Sequence, residues 1–130
     1  MFALDTNTLI YFFKGQGDVA RHLLAQQPQH IAIPAIVRFE LEVGVLKSSA
    51  PQKRQQQLNQ LLRVVRILPF DDDAARQAAE IRVMLEQQGQ PIGPYYLLIA
   101  ATAKANQAIL VTHNQREFCK VPGLQLADWL

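Results

Sequence analysis

Hydrophobic residues follow two patterns along the chain: short continuous apolar runs and longer segments with helical periodicity. The short runs predict five buried strands, at 2–4, 30–33, 66–68, 108–111 and 125–127. The longer segments predict helices over 18–25, 35–46, 51–64, 71–89 and 93–103. Because short buried strands alternate with helices, we expect the α/β class, with one domain over residues 1–130. Its architecture would be three α/β/α layers around a central, mainly parallel sheet.

Composition and charge exclude several classes of protein. The chain has 130 residues, of which 49% are hydrophobic, and a formal net charge of +2. This apolar content excludes a disordered chain, and the charge is too small to indicate a nucleic-acid binder by itself. The longest nearly apolar run, 95–103, is about half the roughly 20 residues of a membrane-spanning helix. With a single cysteine, Cys119, we expect a cytoplasmic protein with no membrane association.

Polar side chains follow the first and fourth predicted strands. Asp5 comes directly after strand one, and Thr112, His113 and Asn114 end strand four. Ligands of open α/β sheets bind beyond the carboxyl ends of the strands, so these residues predict a site at that edge. Asp5 could instead serve only as a helix cap, and Asn114 could belong to an ordinary turn.

Glu40 is a carboxylate on an apolar helix face. On a helical wheel it lies in the middle of a broad apolar arc formed by Ile36, Val37, Phe39, Leu41, Val43 and Leu46. Such a carboxylate is costly unless it is paired or binds a metal, so a metal ligand and a buried ion pair both stay open. Glu42 falls on the opposite, solvated face. Gly44 would allow the close approach of another backbone, or is simply tolerated near the helix end.

Other common catalytic patterns are missing. The three histidines, His22, His30 and His113, are scattered without metal-ligand spacing, which disfavours zinc. The sequence also lacks the glycine-rich nucleotide-binding motifs and the serine-hydrolase motif.

Four motifs in order resemble those of PIN-domain ribonucleases, and most of all the VapC-type toxins of bacterial toxin–antitoxin pairs. They are L-D-T-N, E-L-x-x-G, G-x-P-I-G-P-Y followed by L-L-I-A-A, and L-V-T-x-N-x-x-E-F, at 4–7, 40–44, 89–101 and 110–118. The resemblance implies a PIN-like fold and an endoribonuclease that depends on Mg²⁺, or Mn²⁺, and cuts RNA, often transfer RNA. It also implies a homodimer that is silenced by a cognate antitoxin in a higher assembly.

The resemblance further implies the site residues. Asp5 and Glu40 match acidic metal ligands, Asn114 matches the polar residue after strand four, and Glu117 would assist from the following turn. Tyr96 stands where the family has a metal-binding aspartate. A phenol is neutral at pH 7 and a poor ligand for a hard cation, so we expect an inactive or weakened enzyme. The alternative is a catalytically dead module that binds antitoxin or RNA. In either case, carboxylates clustered without metal should raise at least one carboxyl pKa.

The helices also carry more apolar residues than one sheet face should need. The excess lies on the helix over 51–64 and just after it, at Leu58, Leu61, Leu62 and Val65. We therefore expect an exposed apolar patch there that contacts the second protomer or the antitoxin.

Overall fold

The computed structural model describes residues Met1–Leu130 as a parallel sheet covered by helices. The strands are β1 Phe2–Leu4, β2 Ile31–Pro34, β3 Arg66–Leu68, β4 Ile109–Val111 and β5 Leu126–Ala127. The helices are α1 Thr6–Lys14, α2 Val19–Leu24, α3 Ala35–Lys47, α4 Pro51–Leu62, α5 Asp72–Gln87, α6 Pro94–Ala105 and α7 Gln115–Phe118. All four strand pairs are parallel, which confirms the predicted α/β class.

The order of the strands, β3-β2-β1-β4-β5, places β1 at the centre. The chain first adds strands on one side of β1 and then on the other, so right-handed crossovers put helices on both faces of the sheet. The switch from one side to the other falls between β1 and β4, which are parallel and in which Leu4 pairs with Val111. The backbone N–H of Asp5 continues this pairing by donating to the Val111 carbonyl at 3.1 Å. Such a switch point is where open α/β sheets bind ligands.

The predicted strand positions hold because the central strands are buried on both faces. Ala3, Leu4, Ile33, Leu110 and Val111 are completely buried, as expected of continuous apolar runs in a parallel sheet. The predicted strand at 30–33 begins one residue later than expected. His30 ends a short 3₁₀ turn, Pro28–His30, and is exposed.

Polar side chains and a glycine mark several helix ends. Asp71 caps α5 by accepting the Ala74 N–H at 3.1 Å, and Gly89 adopts φ +67° after that helix. Asp18 lies at the start of α2, but its side chain bonds Arg21 at 3.0 Å rather than the backbone. The turn predicted after β4 is a short helix, α7. It has four residues, which are too few for periodicity to reveal a helix.

The apolar arc predicted on α3 is too wide. Only Val37, Leu41 and Val45, which are spaced four residues apart, are buried, and α3 packs along this stripe against α4. Phe39 and Leu46 lie outside this stripe and are exposed. Glu40 therefore lies at the flank of the buried stripe and is half-buried rather than central in a core-facing surface.

The patch predicted around α4 is also not exposed. Leu58, Leu61 and Val65 belong to the core, and Leu62 packs partly buried against it. These side chains fill the space between α4, α3 and the β2–β3 side of the sheet, so the sequence overstated the free apolar surface. No helix has both the length and the hydropathy that crossing a membrane requires.

Of the two explanations offered for Gly44, the close approach of another backbone is wrong. A Cβ at this position would meet nothing within 4 Å. We therefore expect Gly44→Ala to raise the free energy of unfolding by about 0.5–1 kcal/mol through helix propensity. Gly89→Ala is the matched control and should destabilise the protein, because Gly89 needs a positive φ. Urea denaturation measures both, and a destabilising Gly44→Ala would contradict the open space seen here.

Candidate active site

Asp5 joins the central strand to the first helix. It directly follows β1 and caps α1, since its Oδ1 accepts the Thr8 N–H at 2.9 Å. The side chain is buried, with 5% of the residue exposed. Burial is the main reason that the pKa of the Asp5 carboxyl lies above its usual value, and the negative charge of Asp128 adds to it. Hydrogen bonds from Thr112 and Thr8 lower this pKa and partly offset the rise.

The end of β4 lies against Asp5 and is fixed by threonine side chains. The Thr8 hydroxyl donates to the Val111 carbonyl at 3.1 Å. The Thr112 hydroxyl accepts the Asn114 N–H at 2.9 Å, which holds the turn that carries Asn114. The predicted meeting of the residues after strands one and four is therefore confirmed in position.

Glu40 reaches the same edge through Thr6. The Thr6 hydroxyl donates to Glu40 Oε1 at 2.6 Å, across 34 residues of sequence. Thr6 follows Asp5 directly, so one turn of α1 contacts both predicted carboxylates. Glu42 instead faces Arg38, with 3.9 Å between Oε1 and Nε. The two glutamates therefore have different partners, but both are half-buried, so the predicted contrast between an apolar and a solvated face is not seen.

Glu117 and Tyr96 are engaged elsewhere. The Glu117 carboxylate accepts from Lys120 at 2.7 Å, and the same ammonium donates to the Pro91 carbonyl at 3.2 Å. The Tyr96 ring packs edge-on against Phe118 with 5.4 Å between ring centroids. It also covers Gly93, where an added Cβ would lie 3.2 Å from the ring.

The predicted metal centre is incomplete. No group of three or more aspartate, glutamate, histidine or cysteine side chains is placed to hold one metal ion. Glu40 is linked to the residue after Asp5 through the Thr6 hydroxyl, Glu117 is paired with a lysine, and Tyr96 contributes a neutral phenol. Hard divalent cations prefer several carboxylate oxygens, so the residues present do not fit a complete Mg²⁺ or Mn²⁺ site.

Asp128 is the acidic residue that the sequence analysis missed. It directly follows β5, and its Oδ2 lies 2.8 Å from His113 Nδ1. Its Oδ1 accepts the Leu130 N–H at 3.0 Å. The predicted rise of a carboxyl pKa is confirmed for Asp5, but the acidic neighbour involved is Asp128 and burial is the larger cause. The position after a strand end, which singled out Asp5, could have found it.

Comparison with known proteins agrees with this geometry. The PIN domain family matches residues 2–124. The tRNA(fMet)-specific endonuclease VapC of Salmonella typhimurium is 34% identical over 98% of this chain and 97% of its own. Ribonuclease VapC2 of Rickettsia felis is 38% identical over 99% of this chain and 98% of its own.

Solved structures resemble the whole fold. VapBC2 from Rickettsia felis, bound to a DNA fragment from its promoter, aligns with TM-score 0.92 and 36% identity. DNA-bound VapBC from Salmonella typhimurium aligns with TM-score 0.92 and 32% identity. Each alignment covers 99% of this chain and 98% of the other. The parallel sheet with carboxylates at its switch point is thus a PIN domain. Within that family, the chain belongs to the VapC ribonucleases of toxin–antitoxin systems.

The raised pKa of Asp5 predicts a specific pH dependence of stability. Because the folded carboxyl holds its proton more tightly than the unfolded one, stability falls as pH rises from about 3.8 through the folded pKa. Asp5→Asn keeps a capping oxygen and removes the buried charge. We therefore expect it to stabilise the protein more at pH 7 than at pH 4, as measured by urea denaturation.

Asp71→Asn is the control for this experiment, since Asp71 is an exposed helix cap of the same type. Its effect on the free energy of unfolding should be small at both pH values. A gain for Asp5→Asn that is equal at pH 4 and pH 7 would contradict the account of Asp5.

Proposed function

We propose that this chain is the toxin of a toxin–antitoxin pair, built to cut RNA in the cytoplasm but weakened or inactivated by Tyr96. Transfer RNA is the proposed substrate class, because a relative that matches almost the whole chain is named a tRNA(fMet)-specific endonuclease. The observation that carries the proposal is the packing of Tyr96 on Phe118, at the position where the motif pattern calls for an aspartate.

Two carboxylates would hold the divalent cation that this class of chemistry uses. Asp5 is suited to that role, because its buried charge lacks a neutralising cation from the protein. Glu40 is suited to it because its carboxylate is held at 2.6 Å by the hydroxyl of Thr6, the residue after Asp5. A bound divalent cation supplies an acidified water and neutralises charge in the transition state. We assign no reaction step to it in this chain, because its site is incomplete.

The residues after β4 have assisting roles in the proposal. Asn114 would orient a water or a phosphate oxygen with its side-chain amide, since its backbone is held by Thr112. Glu117 would act only after leaving Lys120, to which it is bound at 2.7 Å. Among the four proposed site residues, Glu117 therefore contributes least.

The proposed partner is an antitoxin, since the structural neighbours are VapBC toxin–antitoxin complexes. A groove of about 560 Å³ between α1, α2 and α4 offers an apolar surface for it. Its apolar lining includes Phe12, Phe13, Leu23, Leu24, Leu61 and Val64. The remaining part of the proposal is that the chain forms a homodimer within a larger assembly with the antitoxin.

A second candidate is a binding module without chemistry, which binds antitoxin or RNA. The absence of a three-acid cluster favours it. The paired geometry of Asp5, Thr6 and Glu40 favours an enzymatic ancestry instead. One substitution separates the two candidates.

We expect Tyr96→Asp to give, or greatly increase, cleavage of total transfer RNA in the presence of Mg²⁺, because it adds the missing carboxylate at the start of α6. Gel analysis of the RNA measures this. Tyr96→Asn is the matched control, which removes the ring without adding charge and should stay as weak as the unaltered chain.

Equal cleavage by the unaltered chain and by Tyr96→Asp would contradict the role given to Tyr96. If neither form cleaves RNA, the binding module is the better account.

The surroundings of the α3 glutamates give a second prediction in the Tyr96→Asp background. Glu40→Gln should lower the cleavage rate by at least about 10–100-fold, a loss that even the partners of metal ligands cause. Glu42→Gln should leave the rate nearly unchanged, since Glu42 contacts only Arg38 across 3.9 Å. Single-turnover kinetics measure both, and the opposite ranking would move the site to the other face of α3.

A further inference from the structure

Exposed aromatic rings are concentrated at one place on the surface. Of the large hydrophobic side chains that are exposed, only three are aromatic: Phe39, Tyr95 and Tyr96, at 48%, 47% and 36%. Phe39 precedes Glu40 on α3, and the two tyrosines form the first turn of α6. We call these three side chains the aromatic rim. Phe39 is next to Glu40 in sequence, and Tyr96 packs on Phe118 of α7, the helix that follows Asn114. The other exposed hydrophobics are aliphatic.

Each ring of the aromatic rim packs against another ring. Phe39 and Tyr95 meet edge-on, with 5.7 Å between centroids and 71° between ring planes. Tyr96 rests against Phe118, which is completely buried. Rings that are already packed lose less conformational entropy when a ligand stacks on them. The rim therefore combines packed rings with ring area that is exposed to solvent.

We propose that the aromatic rim stacks unpaired bases of RNA. The proposal rests on the proposed function, namely that this site receives RNA. Aromatic side chains bind single-stranded RNA by stacking on splayed-out bases, a mode that tolerates any base. Tyr96 then has a role of its own: it replaces a ligand for a cation with a ring for a base, so the chain holds RNA without cutting it efficiently.

The surroundings of the rim favour a nucleotide over an apolar protein segment. Two of its three rings carry hydroxyl groups, and the exposed Arg38 precedes Phe39 on α3. The N-terminus of α6 has no capping side chain and no acidic residue in its first turn. Its partial positive charge therefore favours a phosphate next to the stacked base.

The test measures how the affinity for a short single-stranded RNA depends on the ring of Tyr95. Tyr95→Leu keeps an apolar side chain and removes the ring, and should weaken binding about tenfold. Tyr95→Phe keeps the ring and should bind like the unaltered chain. Fluorescence anisotropy with the labelled RNA gives the affinities. Val83→Ala, on α5 and outside the proposed groove, controls for loss of exposed apolar surface.

The same series is repeated with an oligonucleotide of equal length that has a ribose-phosphate backbone and no bases. The affinity for this probe should be lower and equal for all variants, because nothing remains to stack. Phe39→Leu supplies a second ring deletion in case Tyr95→Leu unfolds, which circular dichroism detects.

Each other outcome overturns the proposal. If single-stranded RNA binds equally to all variants, the rim is not a base site, although the proposed function stands. If neither the unaltered chain nor Tyr96→Asp binds RNA, the proposed function fails together with the rim. If Tyr95→Leu changes the molecular mass in light scattering and leaves the RNA affinity unchanged, the rim is an interface between protein chains.

Discussion

The bond between the ends of β1 and β4 constrains the whole site. The Asp5 N–H donates to the Val111 carbonyl, and the Asp5 carboxylate caps α1. Asp5 thereby extends the pairing of the two central strands, caps the first helix and carries a buried carboxyl group. The charge lies at the switch point of the sheet, between β1 and β4. Because it is buried there, a proton or a cation is needed to offset its desolvation. The placement that defines the fold thus also creates the demand for a cationic ligand.

The other residues of the site provide only part of what a divalent cation would need. The Thr6 hydroxyl holds Glu40 at the same edge of the sheet as Asp5, but the start of α6 contributes an aromatic ring instead of a third carboxylate. The ring packs edge-on against buried Phe118. Such aromatic pairs add about 0.5–1.5 kcal/mol beyond their buried area. In this interpretation, Tyr96 lowers the charge density of the site and adds packing, a common exchange of activity for stability.

Local chemistry and periodicity sufficed to predict much of the fold. The short apolar runs predicted the parallel sheet. Asp5 and Thr112 were predicted to lie together because both follow the carboxyl ends of strands in that sheet. The helical wheel gave the wrong result for α3, because hydrophobicity alone does not tell which side of a helix another element covers: Val37 is buried and Phe39 is not. Asp128 directly follows the predicted strand at 125–127 and was missed because only the residues after strands one and four were considered. The Thr6–Glu40 bond spans 34 residues and follows from tertiary packing that no local pattern encodes.

The central claim is that this chain is one carboxylate short of a divalent-metal site. Calorimetric titration with Mn²⁺ of the unaltered chain and of Tyr96→Asp tests it directly, without any RNA. The account predicts clear binding to Tyr96→Asp that is lost when Glu40→Gln is added, and much weaker binding to the unaltered chain. Equal Mn²⁺ affinity of the unaltered chain and Tyr96→Asp would contradict it.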